Sequence, residues 1–483
     1  MYGHEYKEGV CASLENIPNR RHRTHPQVAS DILTVGLILA FSLLSCGNAS
    51  TGNTPPPPPP PTSKFPLKVG PTSRYLVDQQ DKPFLLIGDA PQALMVNVST
   101  SDAATLLADR ASRGFNAVWI MLLCNDYSGG RSDATTYDGV APFTTAGDFS
   151  TPNETYFSRC DTVINSAKSN GLTVILDPID TGGFISVIAS NGLTKCEALG
   201  EYLGNRYKDF DNIIWMSGSD FQLWTTPSDD AVVKAIASGI KAKDTRHIQT
   251  LELSYYVSSS LDDPNWADIV TLNAAYTYYP AYDELLKDYN RTPIVPAFLI
   301  ETDYEGENAA TLETLRRQEY WTFLGGGCGH VFGNHYVWAL RSGWQNNLDT
   351  PGVREFGYCR ALLQTRAWQS LVPDQGHILV TAGYGTYFSN GNPHLSITAN
   401  DYVTAAATPD GALALAYVPS SRSITVDLTR MSGSVNARWY DPTAGTYQSI
   451  SGSPFANTGS QTFSTPGTHA DGASDWVLVL EKQ

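Results

Sequence analysis

The chain is short of positive charge: 32 Lys and Arg stand against 48 Asp and Glu, a net charge of −16. That balance argues against nucleic acid or an anionic membrane face as a partner held by bulk electrostatics. Seven cysteines (Cys11, Cys46, Cys124, Cys160, Cys196, Cys328 and Cys359) include no C-x-x-C pair. Zinc ribbons and thioredoxin-type sites therefore have no basis, and buried free thiols are the expected fate of most, with room for one bridge. Neither H-E-x-x-H nor G-x-S-x-G occurs, which removes the main signatures of zinc peptidases and of esterases. His330 and His335 alone do not make a metal site. No G-x-G-x-x-G or Walker loop follows a strand-like run; Gly325-Gly326-Gly327 lacks the Lys-Ser/Thr and leads into a strand. No metal and no organic cofactor is expected.

What is present begins with an address. Ile32–Leu44 is an apolar run of about a dozen residues, too short to span a bilayer comfortably, and follows the basic stretch Arg20-Arg21-His22-Arg23. It ends in Leu43-Leu44-Ser45-Cys46-Gly47, which resembles a bacterial lipobox; a plain signal peptide is the alternative. Residues 1–46 are thus expected to be a signal peptide with lipobox, and Cys46 a lipidated residue anchoring the chain to the bacterial cell envelope. Residues 47–63 form a Pro-rich linker. Within it Pro55–Pro61 would make a polyproline II rod about 20 Å long, at roughly 3 Å per residue.

From residue 64 the chain alternates buried-strand and helix patterns. Strand-like runs are Phe84–Gly88 ending at Asp89, Ala117–Leu122, Thr173–Leu176 ending at Asp177, and Ile213–Met216. Then come His247–Leu253, Ile269–Leu272, Ile294–Ile300 and His330–Phe332. Helical stripes lie between them, as in Tyr156, Phe157, Cys160, Val163, Ile164 and Ala167, closed by Asn170-Gly171. Eight such steps predict a (β/α)8 TIM barrel over residues 64–369; a doubly wound open sheet is the runner-up. Over residues 370–483 period-two strands take over: Leu395–Thr398, Leu413–Val418, Ser423–Leu428, Val435–Tyr440 and Trp476–Leu480. This predicts a C-terminal antiparallel β-sandwich.

Two runs end abruptly in a carboxylate: Ile213-Ile214-Trp215-Met216-Ser217-Gly218-Ser219-Asp220 and Pro296-Ala297-Phe298-Leu299-Ile300-Glu301. The carboxyl ends of barrel strands hold the chemistry of these folds. Asp220 after strand four and Glu301 ending strand seven, 301 − 220 = 81 residues apart, are the acid/base and partner that a glycosidase requires. Asp89 and Asp177, at the ends of strands one and three, are candidates for binding sugar hydroxyls, with helix capping as the alternative. Tyr276 and Tyr278, in a cluster with Tyr279 after strand six, are candidates to hydrogen-bond the nucleophile. His335 and Trp338 after strand eight would give a hydroxyl contact and a stacking platform. Glu305 is the main rival to Glu301.

Four stretches resemble glycoside hydrolase family 140, the apiosidase-like group, and its bacterial relatives. They are Leu86-Ile87-Gly88-Asp89-Ala90, Ile214 to Asp220, Ile300-Glu301-Thr302-Asp303-Tyr304-Glu305-Gly306, and Gly329-His330-Val331-Phe332-Gly333-Asn334 followed by Trp338. Arg438-Trp439-Tyr440-Asp441-Pro442-Thr443-Ala444-Gly445 is similar to part of the β-domain usually appended to these barrels and labelled collagen-binding. The resemblance implies an aspartate acid/base and a glutamate nucleophile, carried onto Asp220 and Glu301. It departs in two places. Ser219-Asp220 stands where most of the wider clan has Asn-Glu, and Asp89-Ala90-Pro91-Gln92 lacks an expected aromatic.

The expectation is a retaining glycoside hydrolase acting on a plant or microbial carbohydrate, which the resemblance narrows to a furanosidic or pectin-type linkage. The alternative is a non-catalytic carbohydrate- or matrix-binding surface lipoprotein. Oligomeric state stays open.

Overall fold

A computed structural model describes residues 64–387 and 392–483. The expected signal peptide, the expected lipidation site Cys46 and the expected proline rod lie outside these residues, as does Cys11.

Eight parallel strands make the barrel: β1 (Leu86–Asp89), β2 (Ala117–Met121), β3 (Thr173–Asp177), β4 (Ile213–Ser217), β5 (Gln249–Leu251), β6 (Asn273–Thr277), β7 (Ala297–Glu301) and β8 (Gly329–Phe332). They are ordered β5-β4-β3-β2-β1-β8-β7-β6, with the short strand Val257–Ser259 added antiparallel to β6. Nearly every residue of these strands is buried, as expected for strands covered on both faces. Helices α1 (Thr100–Ser112), α2 (Glu154–Ser169), α3 (Thr181–Tyr207), α4 (Pro227–Lys243), α5 (Ala281–Tyr289), α6 (Leu312–Leu324) and α7 (Pro351–Gln364) form the outer layer. Helices α3 and α4 approach backbone to backbone: a Cβ on Gly200 would lie 2.0 Å from the Ile236 carbonyl oxygen.

The sheet closes without a regular ladder between β5 and β6. Instead the Ser260 hydroxyl bridges them, accepting from the Ala274 amide (2.7 Å) and donating to the Leu251 carbonyl (2.5 Å). Short 3-10 turns at Ser260–Asp262 and Pro264–Trp266 replace a helix in this connection.

Two expected elements are corrected. Strand six is Asn273–Thr277, not Ile269–Leu272. The amides of Ile269 and Val270 are spent on the Trp266 carbonyl in a turn, and the parallel ladder with β7 starts only at Asn273. The bulkier apolar run misled the pattern, because the smaller Ala274 and Ala275 are what the barrel wall accommodates. Leu395–Thr398 is not a strand; Leu395–Ala399 forms a short helix.

The C-terminal region is a sandwich of a six-stranded and a three-stranded antiparallel sheet. Strands β9 (Thr404–Ala407), β10 (Leu413–Val418), β11 (Val435–Asp441) and β12 (Trp476–Lys482) form the middle of the larger sheet. Its faces alternate strictly. Ala414, Ala416, Leu478 and Leu480 pack into the sandwich, whereas Leu413, Leu415, Tyr417, Val477 and Val479 join a cluster with Tyr320, Trp321 and Phe356 of the barrel helices. Charge reinforces this contact. The fully buried Arg316 on α6 pairs with Asp475 (2.8 Å), Glu355 (2.8 Å) and Asp471 (3.0 Å), and Arg317 donates to the Asn400 and Pro419 carbonyls. All five described cysteines are buried and free.

Candidate active site

Strand β4 ends at Ser217, after which three consecutive residues turn left-handed: Gly218 (φ +104°), Ser219 (φ +68°) and Asp220 (φ +49°). Only glycine fits the first position, since a Cβ there would lie 1.9 Å from the Glu252 carbonyl oxygen. Left-handed backbone at Ser219 and Asp220 costs on the order of 1–2 kcal/mol each. The result brings the Asp220 amide to Glu252 Oε2 (3.2 Å) and the Asp220 carboxylate to the Tyr127 hydroxyl, which donates to Oδ2 at 2.6 Å.

Glu301 ends β7 with both oxygens occupied by donors. Tyr276 and Tyr278 each donate to Oε1 at 2.9 Å. Tyr304 donates to Oε2 at 2.9 Å, and the Gln92 amide stands 3.5 Å from the same oxygen. Between Ala275 and Tyr276 the register skips Ile300 of β7, and this bulge puts Tyr276 directly opposite Glu301. Burial pushes the Glu301 carboxyl up to about 8, the negative charge of Asp220 adds to this, and the three phenols oppose it. Burial and the nearby carboxylates raise the phenols themselves, so they remain donors.

The remaining expected residues divide. Tyr276 and Tyr278 sit where expected. Asp177 is fully buried, its Oδ1 accepting the Ile179 amide (3.0 Å), and burial raises it well above the carboxylate range. Asp89 does not reach the mouth. Its carboxylate is fully buried and faces Arg110 on α1 at 3.6 Å, a structural pair in the helix layer. His335 and Trp338 both reach Glu307: the imidazole at 2.9 Å, the indole N–H donating at 2.7 Å, with Arg341 over the indole face at 4.9 Å. Glu305, the rival, is spent on structure. It accepts from Asn334 (3.0 Å), Thr350 (2.5 Å) and the Gly352 amide (3.0 Å) at the start of α7.

Sequence reasoning missed Gln92, Tyr127, Glu252 and Tyr304. The signal for Glu252 was available, because β5 stops at Leu251 and Glu252 therefore also follows a strand end; reading the run through to Leu253 concealed it. The site also draws on the sandwich. The His394 amide donates to the Tyr278 carbonyl (2.7 Å), its ring lies 4.5 Å from that of Tyr278, and its Nδ1 contacts Asp303.

Residues 71–370 match the family described as the apiosidase-like catalytic domain. The chain belongs to the apiosidase-like family. Residues 394–481 match a second family, described as "Putative collagen-binding domain of a collagenase". Among solved structures the chain is similar to a glycoside hydrolase at 22% identity and TM-score 0.73, over 87% of this chain and 97% of that one. A family 5 glycoside hydrolase from Bacteroides vulgatus gives the same identity and TM-score over 86% and 93%. At these identities the likeness is one of fold. No curated protein matches the chain. Family and fold together make this apiosidase-like chain a carbohydrate-degrading hydrolase of the glycosidase type.

Proposed function

We propose that the protein is a retaining glycosidase in which Glu301 is the nucleophile and Asp220 the acid/base. The observation that carries this reading is the Glu301 carboxylate, held at a barrel strand end by three phenols and raised in part by the negative charge of Asp220. Glu301 attacks the anomeric carbon as Asp220 protonates the leaving oxygen; Asp220 then draws a proton from water to release the sugar. The phenols favour the ionised nucleophile and hold its orientation. A cavity of about 230 Å³ beside Asp220, lined by Thr181, Gly182, Ile185, Phe221 and Leu223, has room for one sugar unit. The family resemblance supports a furanosidic or pectin-type linkage in the substrate. We also propose export and lipidation at Cys46, with the linker 47–63 as spacer; loss of lipid labelling in Cys46→Ser tests this.

The test is hydrolysis of a panel of plant and bacterial polysaccharides, with Glu301→Gln and Asp220→Asn run beside the parent. Sugar released by the parent and lost in both variants supports the assignment. Activity untouched by either change refutes it.

A further inference from the structure

Glu252 has no role in the mechanism above, yet it touches the loop that presents Asp220 and feels the charge of Glu301, Asp220 and Asp177. It is 1% exposed. Its Oε2 accepts the Asp220 amide at 3.2 Å, and its Oε1 has no hydrogen-bond partner among the described residues. The groups that act on it are Asp177 from β3, Asp220 beyond β4 and Glu301 from β7, with the phenols of Tyr276 and Tyr304. None of these is cationic. A carboxylate buried among carboxylates, without a counter-charge, is far costlier than the neutral acid in the same place.

We propose that Glu252 is a neutral third carboxyl of the catalytic centre, a positioning residue that fixes the Asp220 backbone without adding charge to the Asp220–Glu301 pair. This rests on the glycosidase reading of that pair. Retaining chemistry needs one proton shared by two groups, on Asp220 and off Glu301. A third negative charge would hold protons more tightly on both, and the nucleophile, already raised by burial and by Asp220, would be harder still to ionise. With its proton on Oε1, Glu252 still offers Oε2 as a carbonyl oxygen to the Asp220 amide. Burial first, then Glu301, Asp220 and Asp177, push it well above the carboxylate range, in line with that state. The left-handed turn at Gly218, packed on the Glu252 carbonyl, shows that residue 252 is built into the loop presenting the acid.

The experiment compares the full chain with Glu252→Gln and Glu252→Ala. Infrared difference spectra near neutral pH should show the carbonyl stretch of a protonated carboxyl in the parent that disappears in Glu252→Gln. On the glycan found by the panel, Glu252→Gln, which keeps an acceptor and no charge, should retain kcat within about threefold and the parental pH profile. Glu252→Ala, which removes the acceptor, should lower kcat by about tenfold or more at little-changed KM. Absence of the band, or a pH profile displaced in Glu252→Gln, overturns the proposal. If Glu252→Ala does not fold, the band and Glu252→Gln decide. A parent inactive on every glycan sinks the glycosidase reading and with it the positioning role, whereas the spectrum still reports the state of Glu252.

Discussion

The imidazole of His394, contributed by the C-terminal region, lies 4.5 Å from the ring of Tyr278, whose hydroxyl holds Glu301 at 2.9 Å. One side chain thus links the sandwich to the proposed nucleophile. Replacing it with alanine leaves Tyr278 without a neighbour on one face. His394→Ala should lower kcat by about tenfold with the far-ultraviolet spectrum unchanged, and His394→Gln should recover part of the loss. Equal kinetics in all three proteins would show that the contact only packs.

The catalytic pair gives the largest effect. Glu301→Gln and Asp220→Asn should each reduce sugar release by about a thousandfold or more, the scale of losing a nucleophile or a general acid. In Asp220→Ala, added azide should restore turnover of a substrate with a good leaving group, with the azido sugar as product.

Removing one phenol tests how the nucleophile is tuned. Tyr278→Phe or Tyr276→Phe takes a donor from the ionised form of Glu301 and so raises its pKa further. The acid limb of the kcat/KM profile should move upward by on the order of one pH unit. An unmoved limb would mean that Glu301 does not set it.

The buried carboxyls also make stability depend on pH. Asp89 is raised to about 6, Asp288 to about 7 and Glu301 to about 8. Folding therefore favours their protonated forms. The stability they contribute is fully present below the ordinary carboxylate value near about 4 and is lost as pH rises through the raised values. Melting temperature should fall from mildly acidic to mildly alkaline buffer, and the fall should be shallower in Glu252→Gln.

Arg316 makes the strongest stability prediction. It is fully buried with Asp475, Glu355 and Asp471, so Arg316→Met leaves an uncompensated acidic cluster. The loss should be about 3–5 kcal/mol, read from urea unfolding. A change under about 1 kcal/mol would show that those carboxyls take up protons instead.

The barrel was legible because fully buried parallel strands write themselves as short apolar runs, and Asp220 and Glu301 because such runs end at the mouth. Tyr276 and Tyr278 follow an apolar run that is a turn, and only their closeness to it marked them. Asp89 shared that signature and still faced Arg110, since a residue at a strand end can point either into the barrel or toward the helices. Gln92, Tyr127 and Tyr304 come from loops with no period to mark them. His394 was beyond reach for another reason: it lies 91 residues from Asp303, and its place depends on how the sandwich docks.

That docking has a consequence for how such chains are cut and recombined. The larger sheet is apolar on both faces, one filling the sandwich and the other covering α6 and α7. A barrel expressed alone would present Tyr320, Trp321 and Phe356 to water, and a transplanted sandwich would carry Leu415, Val477 and Val479 as a sticky plate. Although two families match separate stretches of the sequence, this packing predicts that the segments will not exchange as cassettes. Recombination that keeps the enzyme working must carry the whole span from the first barrel strand to β12.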